Sequence, residues 1–135
     1  MAVDIESLRQ VEFLAPLKDK TLKRLAGEMT ERRAAPGEDL VTEGGTAVAF
    51  FVILDGEAAV IAGGQELRRL GPGGHFGEIA LVIPDVRRTA TVRAVSEVRV
   101  GAMSTWNFKG FVSEHPEVHW PLLVTLARQI ADLTR

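Results

Sequence analysis

The chain has 135 residues, which is enough for one domain but too few for two ordinary ones. Apolar residues make up 46% and charged residues 25%, a composition typical of a folded globular domain. The net charge of -2 argues against broad affinity for nucleic acid, and the lack of cysteine excludes disulfides and thiolate chemistry. Because the amino terminus lacks a signal-peptide pattern and no stretch reaches the ~20 apolar residues of a membrane span, we expect a cytoplasmic protein.

Residues 1–30 have the apolar spacing of helices. Apolar residues recur every three or four positions around Leu8 and again around Leu25. Pro16 lies between the two runs, and Asp19 or Thr21 is placed to cap the second one. The sequence therefore predicts two short helices at the amino terminus.

Residues 31–104 contain most of the glycines, and turn signals recur there about every ten residues between runs of Val, Ile, Phe and Thr. Short strands at this spacing are typical of a sandwich or barrel. The pattern predicts one hairpin over 49–62, bent at Asp55-Gly56, and a second strand pair over 89–103, around Ser96. Residues 76–83 have no turn residue after Gly77 and predict a short helix inserted into the strand region.

Residues 105–135 are predicted to be helical again. Thr105 is placed to cap a helix, and we expect its three aromatic residues, Trp106, Phe108 and Phe111, to be core residues. Pro116 then stops or restarts the helix. The last segment carries an apolar stripe consisting of Leu122, Leu123, Leu126, Ile130 and Leu133.

The segment over 71–92 carries the residues best suited to bind a ligand. Its glycines allow the backbone to approach a bound molecule, and the amino end of the inserted helix would offer free N–H groups to an anion. Arg87 and Arg88 stand where the chain re-enters a strand, and a phosphate between such an arginine and those N–H groups would satisfy both. Glu78 suits a sugar hydroxyl, so the combination points to a nucleotide. The alternative is that Arg88 simply pairs with Glu78 and no ligand is needed.

Two stretches of this segment resemble the phosphate-binding cassette of cyclic nucleotide-binding domains: FGEIAL over 76–81 and RTATV over 88–92. This family includes the catabolite activator protein, the regulatory subunits of cyclic AMP-dependent protein kinase and cyclic nucleotide-gated channels. Further likeness lies in EFLAPL, PGE and FFVILDGEAAV, and it extends over roughly residues 10 to 130.

The resemblance implies an α+β fold: a single cyclic nucleotide-binding domain over 1–135. An antiparallel β-roll or jelly-roll barrel over 31–104 would carry the cassette over 74–92. Amino-terminal helices over 1–30 and carboxy-terminal hinge and lid helices over 105–135 would flank it. The last helix could serve as a lid over the base, as a dimer contact or simply as a helix packed on the roll, and the sequence leaves these three uses open.

The resemblance also assigns roles by position. Glu78 would accept a hydrogen bond from the ribose 2′-hydroxyl, and Arg88 would pair with the cyclic phosphate. Val60 would line the base pocket, and Thr89 is within reach of the purine. The amides of three residues would assist: that of Gly77 at the ribose, and those of Ala80 and Thr89 at the phosphate. The full set of ligand-binding residues implied is Val60, Gly77, Glu78, Ile79, Ala80, Arg88 and Thr89.

The sequence departs from the family pattern just before the phosphate arginine. Many members have proline there, whereas this chain has Val86 and Arg87. Counting forward from Glu78 makes Arg87 a candidate for the phosphate, whereas counting back from Thr89 selects Arg88. We favour Arg88.

The expected function is a stand-alone sensor of a cyclic mononucleotide, with cyclic AMP favoured over cyclic GMP and no catalysis or metal. A protein effector would read the ligand, and a homodimer through the carboxy-terminal helix is an open option. The alternative is a degenerate domain that binds proteins and no nucleotide. A metal enzyme of the cupin type is disfavoured because 31–104 contain one histidine, His75, which we take as a loop residue. DNA binding is not expected, since residues after Met103 leave no room for a helix-turn-helix.

Overall fold

Two four-stranded antiparallel sheets form the centre of the computed structural model, which describes residues 3–81, 83 and 87–133. The strands are β1 (Thr30–Ala34), β2 (Asp39–Val41), β3 (Ala49–Asp55), β4 (Ala58–Ala62), β5 (Gln65–Leu70), β6 (His75–Phe76), β7 (Thr91–Ala94) and β8 (Val98–Ser104). The α-helices are α1 (Ile5–Arg9), α2 (Asp19–Gly27), α3 (Thr105–Glu114) and α4 (His119–Leu133). Three short 3-10 helices are Glu12–Leu14, Glu78–Leu81 and Pro116–Val118.

The strand pairing differs from the predicted hairpins. One sheet has the order β1-β8-β3-β6 and the other β2-β7-β4-β5. The prediction that β3 pairs with β4 was wrong, and so was the prediction that β7 pairs with β8, because the members of each pair lie in different sheets. Instead β3 pairs with β8, with Phe51 opposite Ala102, and β4 pairs with β7, with Val60 opposite Val92.

A sharp corner explains this pairing. The two chain segments form one long antiparallel ribbon that passes from one sheet to the other at Gly56 and Ser96. Gly56 has φ +87°, and a Cβ there would clash with the carbonyl oxygen of Glu97. The backbone N–H of Glu57 donates to Ser96 Oγ at 3.0 Å and ties the two bends together. The ribbon folds over itself, so the predicted antiparallel β-roll is confirmed, as an open roll rather than a closed barrel.

Strand β3 is buried on both faces. Because side chains alternate along a strand, Phe50 points towards the helices and Phe51 points between the two sheets. The Phe50 ring stacks on Phe108 of α3 with centroids 4.0 Å apart. Phe51 stacks on Phe76 of β6 with centroids 4.7 Å apart. The continuous apolar run of this strand therefore serves two cores and holds the helices against the roll.

Helix α3 corrects one expected core residue. Phe108 and Phe111 are buried as predicted, but the prediction for Trp106 was wrong because its side chain is 82% exposed. Residues two apart on a helix point in nearly opposite directions, whereas residues three apart share a face. The spacing thus allows Phe108 and Phe111 to share the core and turns Trp106 away from it.

Two predicted helix caps also differ. Ser104, not Thr105, caps α3, because its Oγ accepts from the N–H of Asn107 at 3.0 Å. Helix α2 begins at Asp19 itself after Lys18, without a side-chain cap, so neither Asp19 nor Thr21 has the predicted role. Pro116 begins a short 3-10 helix between α3 and α4, which confirms the predicted break.

Helix α4 has two apolar faces. Leu122 is buried and Leu126 is partly buried against the helical core. Leu123 and Ile130 are 57% and 65% exposed, so the predicted stripe only partly packs onto the roll. None of the helices within the described residues is both long and apolar enough to cross a bilayer.

Candidate functional site

A cavity of about 570 Å³ lies between the inner part of the roll, the 3-10 helix Glu78–Leu81 and α4. Its volume is in the range of small-molecule sites. Its walls combine apolar side chains with a few charged ones. The lining residues are Val41, Ala47, Val60, Ala62, Leu67, Arg68, Phe76, Gly77, Glu78, Ile79, Arg87, Arg88, Thr89, Ala90, Val92, Gln129 and Asp132.

Arg88 is held at the cavity wall by the backbone of β3. Its Nη2 donates to the carbonyl oxygen of Ala49 at 2.9 Å, and its guanidinium lies 5.7 Å from the ring centroid of Phe51. Its Nε is buried and has no hydrogen-bond partner among the described residues. Partial burial lowers the pKa of Arg88, and the charge of Glu78 opposes this shift. An arginine stays charged at neutral pH, so the cavity contains a fixed cation with a free donor.

Glu78 is a buried carboxylate, with only 2% of the residue exposed. Its Oε1 accepts from Nε2 of Gln129 and lies 3.1 Å from Nδ1 of His75. Its Oε2 is buried with no partner among the described residues. Burial by itself raises the pKa of Glu78, but His75, the backbone N–H and Gln129 outweigh it and hold this pKa below its usual value. Glu78 is therefore an anion that still has an acceptor to offer.

The two adjacent arginines have different surroundings. Arg88 is partly buried, and its Nη1 lies next to Gly77. Arg87 is exposed at the cavity rim, where its Nη1 donates to the carbonyl oxygen of Gly44 at 3.3 Å. Arg88 donates to Ala49 rather than to Glu78, so the ligand-free ion pair considered as an alternative is not how Arg88 is held.

The structure brings most of the expected site residues to this one cavity. Val60, Gly77, Ile79 and Thr89 line it together with Glu78 and Arg88. Ala80 lies in the neighbouring 3-10 helix, and its side chain is outside the described residues. The departure at Val86 also falls outside them.

The local structure around the inserted helix differs from the prediction. The predicted helix over 76–83 is a 3-10 helix of four residues, Glu78–Leu81, preceded by the strand β6. Phe76 is buried in that strand, opposite Phe51. His75, predicted to be a loop residue, is the first residue of β6 and packs against Phe13 and Phe50.

Among the polar and charged cavity residues, three were missed by the sequence reasoning: Arg68 on β5, and Gln129 and Asp132 on α4. Gln129 lies two turns after the buried Leu122 and so on the same face of the helix. A polar residue on an otherwise apolar face was the signal available for it. Arg68 lies in a mostly exposed strand that also carries the charged residues Glu66 and Arg69, and nothing in that pattern distinguishes it.

Comparison with known proteins fits this geometry. The sequence profile described as the cyclic nucleotide-binding domain matches residues 31–115. The chain belongs to the cyclic nucleotide-binding domain family.

A relative of this cyclic nucleotide-binding domain is the cAMP-dependent protein kinase regulatory subunit of Yarrowia lipolytica. The two are 33% identical over 104 residues, which cover 76% of this chain and 28% of the relative. The chain thus spans well under a third of that protein.

Two solved structures share the fold of this domain. The cAMP-bound PfPKA-R (141-441) has a TM-score of 0.85 and 22% identity, covering 96% of this chain and 45% of that one. The catabolite activator protein of Thermus thermophilus has a TM-score of 0.81 and 23% identity, covering 91% and 60%. The resemblance stated from the sequence is thereby confirmed.

Proposed function

We propose that this domain binds a cyclic mononucleotide and acts as a sensor or regulatory module. The observation that carries the proposal is a pair of buried, unsatisfied groups on two residues that line the cavity: Arg88 Nε, a cationic donor, and Glu78 Oε2, an anionic acceptor. Buried polar groups normally have partners, so both call for a ligand that has an anion and a hydroxyl. A cyclic nucleotide offers both on one small ring system.

The proposed roles within the cavity are those that the family resemblance implies. Arg88 pairs with the cyclic phosphate, assisted by the amides of Ala80 and Thr89. Glu78 accepts from the ribose 2′-hydroxyl, assisted by the amide of Gly77. The base lies against the apolar wall formed by Val60 and its neighbours, and its burial there contributes part of the affinity.

Cyclic AMP is the nucleotide we favour over cyclic GMP. Support comes from the Yarrowia lipolytica relative, which is described as a cAMP-dependent regulatory subunit. Thr89 lines the cavity, and its hydroxyl can also contact guanine. In a calorimetric competition, cyclic GMP should displace bound cyclic AMP only when it is in excess. Displacement at equal concentration would reverse the preference.

The proposed role is regulatory: the domain binds the nucleotide and catalyses no reaction on it. The described residues include no group of three or more histidine or acidic side chains that could hold a metal ion. A protein effector would read the position of α4, which carries two of the cavity residues. Incubating the domain with cyclic AMP should return the nucleotide unchanged on chromatography, and formation of AMP would contradict this.

The carboxylate of Glu78 provides a test of the ribose contact. Glu78→Gln keeps the size of the side chain but weakens the acceptor, so affinity for cyclic AMP should fall about tenfold or more. Affinity for 2′-deoxy cyclic AMP should change little, because that ligand has no hydroxyl to lose. Calorimetry with both ligands measures this. An equal loss for both would place the ribose elsewhere.

Helix α4 also has a surface suited to a second copy of the chain. Trp120, Leu123 and Ile130 are exposed, and their spacing of three and seven residues places them along one side of the helix. We propose that this face forms a homodimer. Sedimentation should show a dimer that Ile130→Lys dissociates and that Val48→Lys, an equally exposed position elsewhere, leaves intact. A wild-type monomer at all concentrations would contradict the dimer.

The second candidate is a protein-interaction module that binds no nucleotide. It is favoured by one contact: Gln129 of the protein itself donates to Glu78 Oε1, so one oxygen of this carboxylate has a partner without a ligand. Titration of the wild-type domain with cyclic AMP separates the two, since this candidate predicts no binding at millimolar ligand.

A further inference from the structure

His75 is fixed beside the cavity by the sheet and by aromatic packing. Its backbone pairs with Val52 across the β3–β6 ladder. Its ring meets Phe13 edge-on with centroids 5.1 Å apart, and it lies 6.1 Å from Phe50. Only 14% of the side chain is exposed. The imidazole therefore has little freedom to change its position.

The polar edge of this ring faces Glu78. Nδ1 of His75 lies 3.1 Å from Oε1, the same oxygen that accepts from Gln129. Gln129 thus donates to one carboxylate oxygen, and His75 Nδ1 lies beside that oxygen, buried and without a hydrogen bond to any described residue. The other oxygen, Oε2, is likewise buried and without a partner among the described residues. Fixing one oxygen fixes the plane of the carboxylate and hence the direction in which the second one faces.

The two groups next to Oε1 belong to different parts of the molecule. Gln129 is on α4, the helix that would respond to ligand, and that helix is tied to Glu12 by an ion pair from Arg128 of 2.6 Å. His75 is on a strand of the roll. A displacement of α4 would carry Gln129 with it, whereas the β3–β6 ladder would hold His75 in place. His75 is therefore the constant support of the carboxylate.

Electrostatics also favours a supporting role of His75 for the Glu78 carboxylate. A buried carboxylate is costly unless a partner compensates it, and neutralisation would remove its value as an acceptor. His75 opposes the effect of burial on the pKa of Glu78, which lies below its usual value. The ring thus helps to keep Glu78 ionised.

We propose that His75 is a positioning residue that holds Glu78 for the 2′-hydroxyl of the ligand and so sets the preference for ribose over 2′-deoxyribose. This rests on the proposed function, because it presumes that Glu78 contacts the sugar. The class of ligand it selects is a cyclic ribonucleotide.

Two variants separate positioning from packing. His75→Phe keeps an aromatic ring against Phe13 and Phe50 but has no polar edge. His75→Asn places an amide near the position of Nδ1 but gives up the ring. Calorimetry with cyclic AMP and 2′-deoxy cyclic AMP should show that the wild type favours the ribonucleotide about tenfold or more. H75F should bring the two affinities within about threefold of each other, mainly by weakening cyclic AMP, and H75N should restore most of the preference.

The outcomes are distinct. A wild type that binds neither ligand overturns the proposed function, and this inference with it. If the wild type prefers the ribonucleotide and H75F keeps that preference, the role of His75 is overturned but the proposed function is not. The same holds if H75F loses affinity equally for cyclic AMP and 2′-deoxy cyclic AMP. Melting curves verify that H75F folds, and if it does not, His75→Met fills the site without a donor. In an E78Q background H75F should not change the preference further, and an added change would contradict action through Glu78.

Discussion

Replacing Arg88 by alanine should weaken cyclic nucleotide binding at least a hundredfold. Each charge-assisted hydrogen bond contributes about 1.5–3 kcal/mol. Among the described cavity residues, Arg88 is the one cationic side chain that is partly buried, so the variant would leave the phosphate without that partner. The guanidinium is already oriented by Ala49 and Phe51, so it loses little freedom when the ligand binds. Calorimetric titration of Arg88→Ala with cyclic AMP, beside the wild type, measures the loss.

Arg87 provides the matched control. It stands one residue away, has the same charge and lies at the same cavity, but it is exposed and hydrogen bonds to Gly44. An exposed charge contributes little in water, so Arg87→Ala should reduce affinity by no more than about threefold. If instead Arg87→Ala abolished binding and Arg88→Ala left it near normal, the phosphate assignment would move to Arg87.

Replacing Gly77 by alanine should damage both stability and binding. Gly77 has φ +100°, and a Cβ there would clash with the carbonyl oxygen of Ala49 and lie 3.1 Å from Nη1 of Arg88. That carbonyl is the group that orients Arg88. Left-handed strain and the steric clash together should cost about 2–4 kcal/mol. In a domain of this size that lowers the melting temperature by roughly 10 °C.

Gly110 is the control for this substitution. It lies within α3 with no heavy atom within 4 Å of an added Cβ, and alanine is the better helix former. Gly110→Ala should therefore keep or raise the melting temperature, and its affinity for cyclic AMP should equal that of the wild type. Thermal melting and calorimetry on both variants give the comparison. A Gly77→Ala protein as stable and as tightly binding as Gly110→Ala would show that the close approach is not needed.

The sequence was sufficient for the fold class but not for the strand pairing. Turn residues such as Gly56 reveal where a strand ends, because glycine adopts φ +87° without the steric strain that other residues have there. They do not reveal whether the chain returns along the same sheet or crosses to another. At the crossing, the N–H of Glu57 donates to Ser96, which lies 39 residues further along the chain. Such long-range contacts leave no mark on local periodicity.

In the candidate site, too, residues within one segment could be predicted, whereas residues brought in by long-range packing could not. Glu78 and the arginine pair at 87 and 88 stood out because they lie in one glycine-rich segment, and the family resemblance then favoured Arg88 and added Thr89. Gln129 lies 51 residues from Glu78 along the chain, so only the packing of α4 brings the two side chains together. Trp106 illustrates the opposite error, since an aromatic residue was assigned to the core although its helical position turns it outward.

Titration of the wild-type domain with cyclic AMP tests the central claim most directly. A cyclic mononucleotide has about 22 heavy atoms, and at roughly 0.3 kcal/mol per atom it binds with about -7 kcal/mol, a Kd near 10 μM. The account predicts one ligand per chain near this affinity, together with a higher melting temperature at saturating ligand. No heat of binding and no change in melting at millimolar cyclic AMP or cyclic GMP would contradict it.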